Sequence, residues 1–234
     1  MKNNLWQDLY SNHSDRYDKL VQAEDYQGHL LSALRELHPT ENSTIVELGA
    51  GTGRITIQLL PYVRHIYAFD LTPAMIHLAN QKLKQSGAHN CSLAIADSRA
   101  APISAKSADI AVEGWSFAQI MTWHMESWQQ EVGQAIQEML RVARPGGIVI
   151  LIETLGTGET QPNPPAQFQA AYEYFEREWQ FSSRWIRTDY CFSTIEEVHQ
   201  VVSPIFGEAM IERTYNSESG IILPECTGIW WRSV

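Results

Sequence analysis

The chain has 234 residues, 44% of them hydrophobic and 19% charged, which is enough for one large domain with a sizeable core and gives no compositional sign of disorder. Its formal net charge of −10 disfavours binding to nucleic acid, because phosphate backbones attract clustered Lys and Arg side chains. The first residues are polar and no run of about 18 apolar residues occurs, so we expect neither secretion nor membrane insertion.

Apolar runs alternate with helical patterns over the first two thirds of the chain, which is typical of βαβ units and a mostly parallel sheet. Leucines at helical spacing from Leu30 to Leu37 predict a helix ahead of a first strand at residues 44–48. The next predicted elements are helix 54–60, strand 65–69, helix 73–85, strands 92–96 and 109–112, helix 128–143 and strand 148–152. Right-handed crossovers then place the loops after the strands along one edge of the sheet, where ligands bind in such folds.

The last part of the chain begins at a loop rich in Gly and Pro, residues 156–165. Aromatic residues at helical spacing from Phe168 to Trp179 predict a further helix, and residues 209–215 and 227–232 predict an antiparallel pair of strands. The predicted fold class is therefore α/β: a doubly wound, mostly parallel seven-stranded sheet with helices on both faces and a C-terminal antiparallel strand pair.

A glycine-rich turn between the first predicted strand and the next helix is the strongest local signal, Glu47-Leu48-Gly49-Ala50-Gly51-Thr52-Gly53. Glycines allow positive φ and a close approach of the backbone to a ligand. The helix that follows directs free N–H groups and the positive end of its dipole at the same place, which favours an anionic group. The spacing is GxGxG, with an acidic residue two positions before the first glycine, and it differs from the GxGxxG of dinucleotide-binding proteins.

This turn resembles the first motif of the class I S-adenosylmethionine (SAM) dependent methyltransferases, and residues 67–75 resemble their second. Residues 96–103 resemble the family's third-strand segment, and residues 140–147 resemble the turn before its fifth strand. The resemblance covers roughly residues 43–153. It implies a Rossmann-like fold, SAM as the cofactor, S-adenosylhomocysteine (SAH) as its product, and methyl transfer to a small molecule.

The resemblance also implies roles for the first acidic and glycine positions. The backbone at Gly49, Gly51 and Gly53 would lie against the methionyl part of SAM. Glu47 would help to hold the ammonium group of that part. Asp70 would accept hydrogen bonds from both ribose hydroxyls, which suits a carboxylate because its two oxygens face two adjacent donors.

The adenine and the transferred methyl group are assigned to later positions by the same resemblance. Asp97 would accept from the exocyclic amine of adenine, Ser98 would offer its backbone N–H to the ring, and Leu71 would pack on the base. Glu113 and Gly114 would line the methyl-transfer end. Taken singly, Asp70 and Asp97 are also typical of helix or turn caps.

The acceptor site is expected in the segments that flank these motifs, within one domain covering residues 1–234. Residues 1–42 are predicted to form a helical cover, and residues 156–206 an insertion on the substrate side. Aromatic and histidine candidates for the acceptor walls are Trp6, Tyr10, His13, Tyr17, Tyr26, Trp115, Phe117, Trp123, His124, Tyr172, Tyr174, Trp185 and Tyr190. Such walls suit a sulfonium cation and an apolar or planar acceptor, although core packing is the common role of any one aromatic.

No catalytic residue is assigned, because methyl transfer requires a base only when the acceptor must lose a proton. His124 is the one candidate, since imidazole titrates near neutral pH. The eight histidines lack paired metal spacing, so no metal site is expected. Three widely spaced cysteines without a CxxC pair suit a reducing compartment, and cytoplasm is the expected location.

Two other functions are weighed against methyl transfer. An NAD-dependent oxidoreductase shares the βαβ start and an acidic residue about 20 positions after the glycines, where Asp70 stands. The GxGxG spacing, Glu47 and the segment at Asp97 argue against it. The second alternative is a SAM-binding protein without turnover that acts as a regulatory or interaction module, which an activity assay distinguishes from an enzyme.

Overall fold

The computed structural model describes residues 2–234. The strands in this part of the chain are β1 (Thr44–Leu48), β2 (His65–Asp70), β3 (Cys91–Ile95), β4 (Ala108–Gly114), β5 (Ala143–Thr157), β6 (Ser182–Arg187), β7 (Tyr190–Phe192), β8 (Tyr215–Ser217), β9 (Gly220–Leu223) and β10 (Glu225–Ser233). The α-helices of the same part are α1 (Lys2–Asn12), α2 (Ser14–Ala23), α3 (His29–Leu37), α4 (Arg54–Leu59), α5 (Pro73–Ser86), α6 (Phe117–Trp123), α7 (Trp128–Val142), α8 (Ala166–Arg177), α9 (Ile195–Val201) and α10 (Ser203–Phe206). Within residues 2–234, no helix has the length and hydrophobicity needed to cross a membrane.

The main sheet has seven strands in the order β3-β2-β1-β4-β5-β10-β6. The first five strands of the chain pair in parallel, whereas β10 is antiparallel to both β5 and β6. This arrangement confirms the predicted doubly wound sheet with its antiparallel pair. The strand order reverses between β1 and β4, and a crevice opens at the carboxyl ends of strands at such a switch point.

Apolar, β-branched runs explain why these segments form central strands. All five residues of β1, Thr-Ile-Val-Glu-Leu, are buried, as expected for a parallel strand that is covered on both faces. Ile45 packs on the face covered by α3, α4 and α5. Its neighbour Val46 packs on the opposite face, against α6, α7 and α8. The predicted helices on both faces of the sheet are thus confirmed.

The prediction of a strand at residues 209–215 is wrong. Those residues lie mainly in a 3₁₀ turn, Glu208–Arg213, none of whose residues is buried. The seventh strand of the main sheet is β6, which has the sequence Ser-Ser-Arg-Trp-Ile-Arg and no buried residue. An edge strand exposes one side to solvent, so it needs no apolar run, and the sequence pattern gave no signal for it. The other predicted member of the pair, residues 227–232, lies within β10.

A second, three-stranded sheet has the order β7-β9-β8 and is antiparallel. The sequence analysis does not predict it, because its strands are only three or four residues long. With α9 and α10 it encloses a separate apolar core that also buries Leu9 of α1 and Leu20 of α2. The two N-terminal helices are therefore packed against this small sheet.

Candidate active site

One cleft lies at the carboxyl ends of β1, β2, β3 and β4, where the strand order reverses. Its walls come from the glycine-rich turn, the loops after β2, β3 and β4, helix α6, and helices α1 and α2. The lining residues are Tyr10, Tyr17, Gly49, Gly51, Asp70, Leu71, Thr72, Met75, Ala96, Asp97, Ser98, Arg99, Gly114, Trp115, Ser116, Gln119, Ile120, Trp123 and His124. Most of the residues assigned to the cofactor line this cleft, but Glu47, Gly53 and Glu113 do not.

The glycine-rich turn is fixed by its backbone. Gly49 and Ala50 both donate their N–H groups to the carbonyl oxygen of Phe69, at 2.8 and 2.9 Å, which joins the turn to the end of β2. Gly49 has φ +75°, and a Cβ at this position would overlap the side chain of Ser116. Glycine is required here for both reasons, and its backbone is left facing the cleft.

Asp70 lies at the end of β2 and holds two backbone segments of the cleft wall. One carboxylate oxygen accepts the N–H of Gly51 and the other accepts the N–H of Thr72, each at 2.8 Å. Burial raises the pKa of Asp70, although these two hydrogen bonds act in the opposite direction. A carboxylate has about four acceptor positions, so the group retains acceptor capacity for a ligand hydroxyl beside its hydrogen bonds from Gly51 and Thr72. This arrangement fits the two adjacent hydroxyls of a ribose.

Leu71 and Asp97 line the cleft from the loops after β2 and β3. Leu71 has 54% of its surface exposed, and an exposed leucine in a cleft offers a surface on which a planar base can pack. Arg99 binds both oxygens of Asp97, and these hydrogen bonds hold the pKa of Asp97 below its ordinary value. Asp97 is therefore an ionised acceptor at neutral pH. Its pairing with Arg99, which occupies part of its acceptor capacity, was not predicted.

Glu47 lies behind the glycine-rich turn, where it lines a smaller pocket together with Tyr17, Arg54 and Trp115. Its carboxyl group accepts a hydrogen bond from the hydroxyl of Thr56. Burial raises the pKa of Glu47 from its ordinary value of 4.5 to about 8. Glu47 is therefore mostly protonated at neutral pH in the ligand-free protein, and its assignment to the ammonium group of SAM stays a prediction.

The raised pKa of Glu47 makes stability depend on pH. The folded state keeps the proton up to about pH 8, whereas the unfolded chain releases it near pH 4.5. The contribution of this group is therefore fully present below pH 4.5 and is lost as pH rises towards 8. We expect Glu47→Gln to make the fall in the free energy of unfolding between pH 6 and 8 shallower by up to about 1.4 kcal/mol per pH unit.

Urea denaturation of the ligand-free protein at pH 6, 7 and 8 measures this difference. The matched control is Glu218→Gln, which replaces an exposed glutamate and should leave the pH dependence unchanged. Equal slopes for the wild type and Glu47→Gln would show that Glu47 is ionised in the folded protein at pH 6.

Glu113 and Glu153 hold the first turn of α6 from behind the cleft wall. Glu113 accepts the N–H and the hydroxyl of Ser116, at 3.2 and 2.7 Å, and Glu153 accepts the N–H of Ala118 at 2.9 Å. Burial raises the pKa of both carboxyl groups, and their mutual repulsion raises that of Glu153 further. Glu113 therefore supports the cleft wall from behind, whereas Gly114 lines the cleft itself, and the assignment of Glu113 to the methyl-transfer end stays a prediction.

Aromatic side chains form the wall above the glycine-rich turn. Tyr10 and Tyr17 reach the cleft from α1 and α2, and Trp115 and Trp123 reach it from the loop after β4 and from α6. The other aromatic candidates and His13 do not line it, namely Trp6, Tyr26, Phe117, Tyr172, Tyr174, Trp185 and Tyr190. Tyr172, for example, stacks on Trp230 with ring centroids 4.8 Å apart, so it belongs to the core.

His124 follows α6 and lines the cleft. The pKa of Asp97 is lowered chiefly by Arg99 and to a smaller extent by the charge of His124. The imidazole therefore lies on the side of the cleft where Asp97 stands. This is the end where adenine is expected. A role for His124 as a general base for the acceptor stays a prediction.

Arg54 is a site residue that the sequence analysis missed. It forms an ion pair with the buried Glu24, and its guanidinium lies 4.0 Å from the ring centroid of Trp115. Trp115 has φ +55°, an unusual conformation for a bulky residue, and its N–H donates to the carbonyl oxygen of Ile152 at 2.7 Å. A charged residue at the start of the otherwise uncharged helix Arg-Ile-Thr-Ile-Gln-Leu was the available signal.

Comparisons with known proteins agree with this site. A family model described as a methyltransferase domain matches residues 45–147. Demethylmenaquinone methyltransferase of Geobacillus stearothermophilus is 25% identical over 173 residues, which cover 71% of this chain and 68% of that protein. A probable cobalt-precorrin-6B C(15)-methyltransferase (decarboxylating) of Methanothermobacter thermautotrophicus is 31% identical over 118 residues, which cover 50% of this chain and 55% of that protein.

A solved structure has the same fold. The crystal structure of a SAM dependent methyltransferase from Aquifex aeolicus superposes with a TM-score of 0.57 at 17% identity, covering 90% of this chain and 95% of the other. The family match runs from β1 into the first third of β5. It therefore includes the glycine-rich turn, Asp70 and Asp97. The open acceptor positions of Asp70 and the exposed Leu71 fit the ribose and base of SAM. Residues 45–147 thus match a methyltransferase domain, and the chain is similar to SAM-dependent methyltransferases, which supports SAM as its cofactor.

Proposed function

We propose that this methyltransferase acts on a small-molecule acceptor that binds at the aromatic end of the cleft. One observation carries the proposal: the positions assigned to the cofactor and the aromatic wall line the same cleft. Asp70 is hydrogen-bonded to the glycine-rich turn at Gly51, and Tyr17 and Trp115 line a smaller pocket together with the same turn. A methyl group presented at this turn would therefore face the aromatic wall.

SAM supplies a methyl group on a sulfonium sulfur, and its in-line transfer to an acceptor leaves a neutral thioether. The chain's own residues contribute by alignment and by exclusion of water. The glycine-rich turn and Asp70 fix one reactant through backbone and carboxylate contacts. Tyr10 and Tyr17 shield the other side of the cleft, and the ion pair between Lys82 and Asp18, at 2.7 Å, holds α2 against α5.

A small molecule is favoured over nucleic acid because of charge. The net charge is −10, and the one arginine that lines the cleft, among the described residues, is paired with Asp97 and Glu131. A phosphate-tracking surface requires several unpaired cations on one face. The free cysteines of the described chain support the cytoplasm as the site of action.

The test is a metabolite library incubated with SAM and the protein, with SAH formation as the readout. We expect at least one small molecule to support turnover, and we expect Asp70→Ala to lower the rate about tenfold or more at a SAM concentration below the Kd of the wild type. Turnover on tRNA or duplex DNA alone would contradict the small-molecule proposal. SAM binding without turnover on any of these compounds would support the regulatory alternative.

A further inference from the structure

Arg99 joins the loop after β3 to α7. Its Nε donates to Oδ1 of Asp97 at 2.8 Å, and its Nη2 donates to Oδ2 of the same carboxylate. The remaining nitrogen, Nη1, contacts the carboxylate of Glu131 on α7. The fork of the guanidinium is therefore shared between two carboxylates, one of which lines the cleft and one of which does not.

The hydrogen bonds leave the two oxygens of Asp97 unequal. Oδ1 accepts from Nε of Arg99 and also from its backbone N–H, at 2.9 Å, so both of its lone pairs are used. Oδ2 accepts only from Nη2 among the described contacts, so one lone pair is available. Each carboxylate oxygen offers about two acceptor positions, and the open one is on Oδ2.

A carboxylate on a loop rotates freely about its side-chain bonds unless other groups fix it. A bidentate pair with arginine fixes both the position and the plane of the group. Glu131 fixes the arginine in turn, because it lies on the fifteen-residue helix α7. The chain thus has a rigid connection from α7, through Arg99, to the one open acceptor position of Asp97.

We propose that Arg99 is a positioning residue for adenine recognition, which acts by turning Oδ2 of Asp97 towards the exocyclic amine of the cofactor. The proposal rests on the proposed function, in that it requires SAM in the cleft and the adenine at Asp97. It adds that Arg99 does not bind the cofactor through its own charge. Loss of Arg99 should therefore weaken the binding of only those ligands that carry the exocyclic amine.

The test compares SAH with an analogue in which hydrogen replaces the exocyclic amino group of adenine, using calorimetric titration. We expect the wild type to prefer SAH by about tenfold or more, the effect of one hydrogen bond to a charged group. In Arg99→Met this preference should fall to about threefold or less, with the affinity for the analogue nearly unchanged. Arg99→Lys should restore only part of the preference, because lysine lacks the planar fork.

The matched control is Arg141→Met. Arg141 makes a similar bidentate pair with Glu138, with both contacts at 2.7 Å, but it lies outside the cleft. This variant should keep the wild-type preference. A preference for SAH that survives in Arg99→Met would refute the role of Arg99, and so would an equal loss of affinity for both ligands. Neither result would refute the adenine contact of Asp97. Equal affinity of the wild type for both ligands would refute the adenine contact of Asp97, and the proposal with it.

Discussion

Replacement of Asp70 by alanine is expected to weaken SAH binding by about 10- to 150-fold, or about 1.5–3 kcal/mol, the contribution of hydrogen bonds to a charged group. The reason is the acceptor capacity that the carboxylate retains for a ligand beside its hydrogen bonds from Gly51 and Thr72. Calorimetric titration with SAH measures the loss. Urea denaturation of the same variant shows whether the fold is intact.

Asp70→Asn is the matched variant for this prediction. It keeps one acceptor oxygen and replaces the other with a donor, so it should bind SAH with an affinity between those of the wild type and Asp70→Ala. An unchanged SAH affinity in a well-folded Asp70→Ala protein would mean that Asp70 only fixes the backbone of Gly51 and Thr72.

Replacement of Gly49 by alanine is expected to lower the free energy of unfolding by about 2–5 kcal/mol. A side chain at φ +75° costs about 1–2 kcal/mol. The added Cβ would also overlap the side chain of Ser116, and overpacking of this kind costs about 1–3 kcal/mol. Urea denaturation measures the sum of the two terms.

Gly28→Ala separates these two terms. Gly28 has a similar φ of +71°, but no heavy atom lies within 4 Å of the position its Cβ would take. This variant should lose only the conformational term, about 1–2 kcal/mol. Equal losses in the two variants would show that Ser116 moves aside at little cost, and the close contact between the glycine-rich turn and the loop after β4 would not be required.

The central part of the fold was predictable because its strands are buried on both faces. Runs such as Thr44–Leu48 are mostly apolar and buried throughout, as is typical of parallel strands covered by helices on both faces. The edge strand Ser182–Arg187 has no buried residue, so its sequence does not differ from that of a loop. The strands of the small sheet are too short to show a period, and they depend on the N-terminal helices for their core.

The cofactor end of the cleft was predictable for a different reason. Asp70 and Asp97 follow successive strands, and parallel strands bring their carboxyl ends to one edge. The direction of a side chain at a strand end is decided by contacts distant in sequence. Glu113 accepts the N–H of Ile152, 39 residues away in sequence, and the pair of Arg99 with Glu131 spans 32 residues, so neither could be inferred from local spacing.

The aromatic wall was predictable only as a set of candidates. Tyr10 and Trp115 line the cleft, whereas Tyr172 and Phe117 are buried in the core beneath the sheet. Both kinds of position favour large apolar side chains, so the sequence alone gives no means of separating them. Packing of α1 and α2 on the small sheet decides which tyrosines reach the cleft.

Calorimetric titration of the wild-type protein with SAH and with NAD tests the central claim most directly. The GxGxG turn, the open oxygens of Asp70 and the ionised Asp97 together predict saturable binding of SAH, with one site per chain and no heat from NAD under the same conditions. Tight binding of NAD with no heat from SAH would contradict the account, because the same cleft would then belong to a dinucleotide.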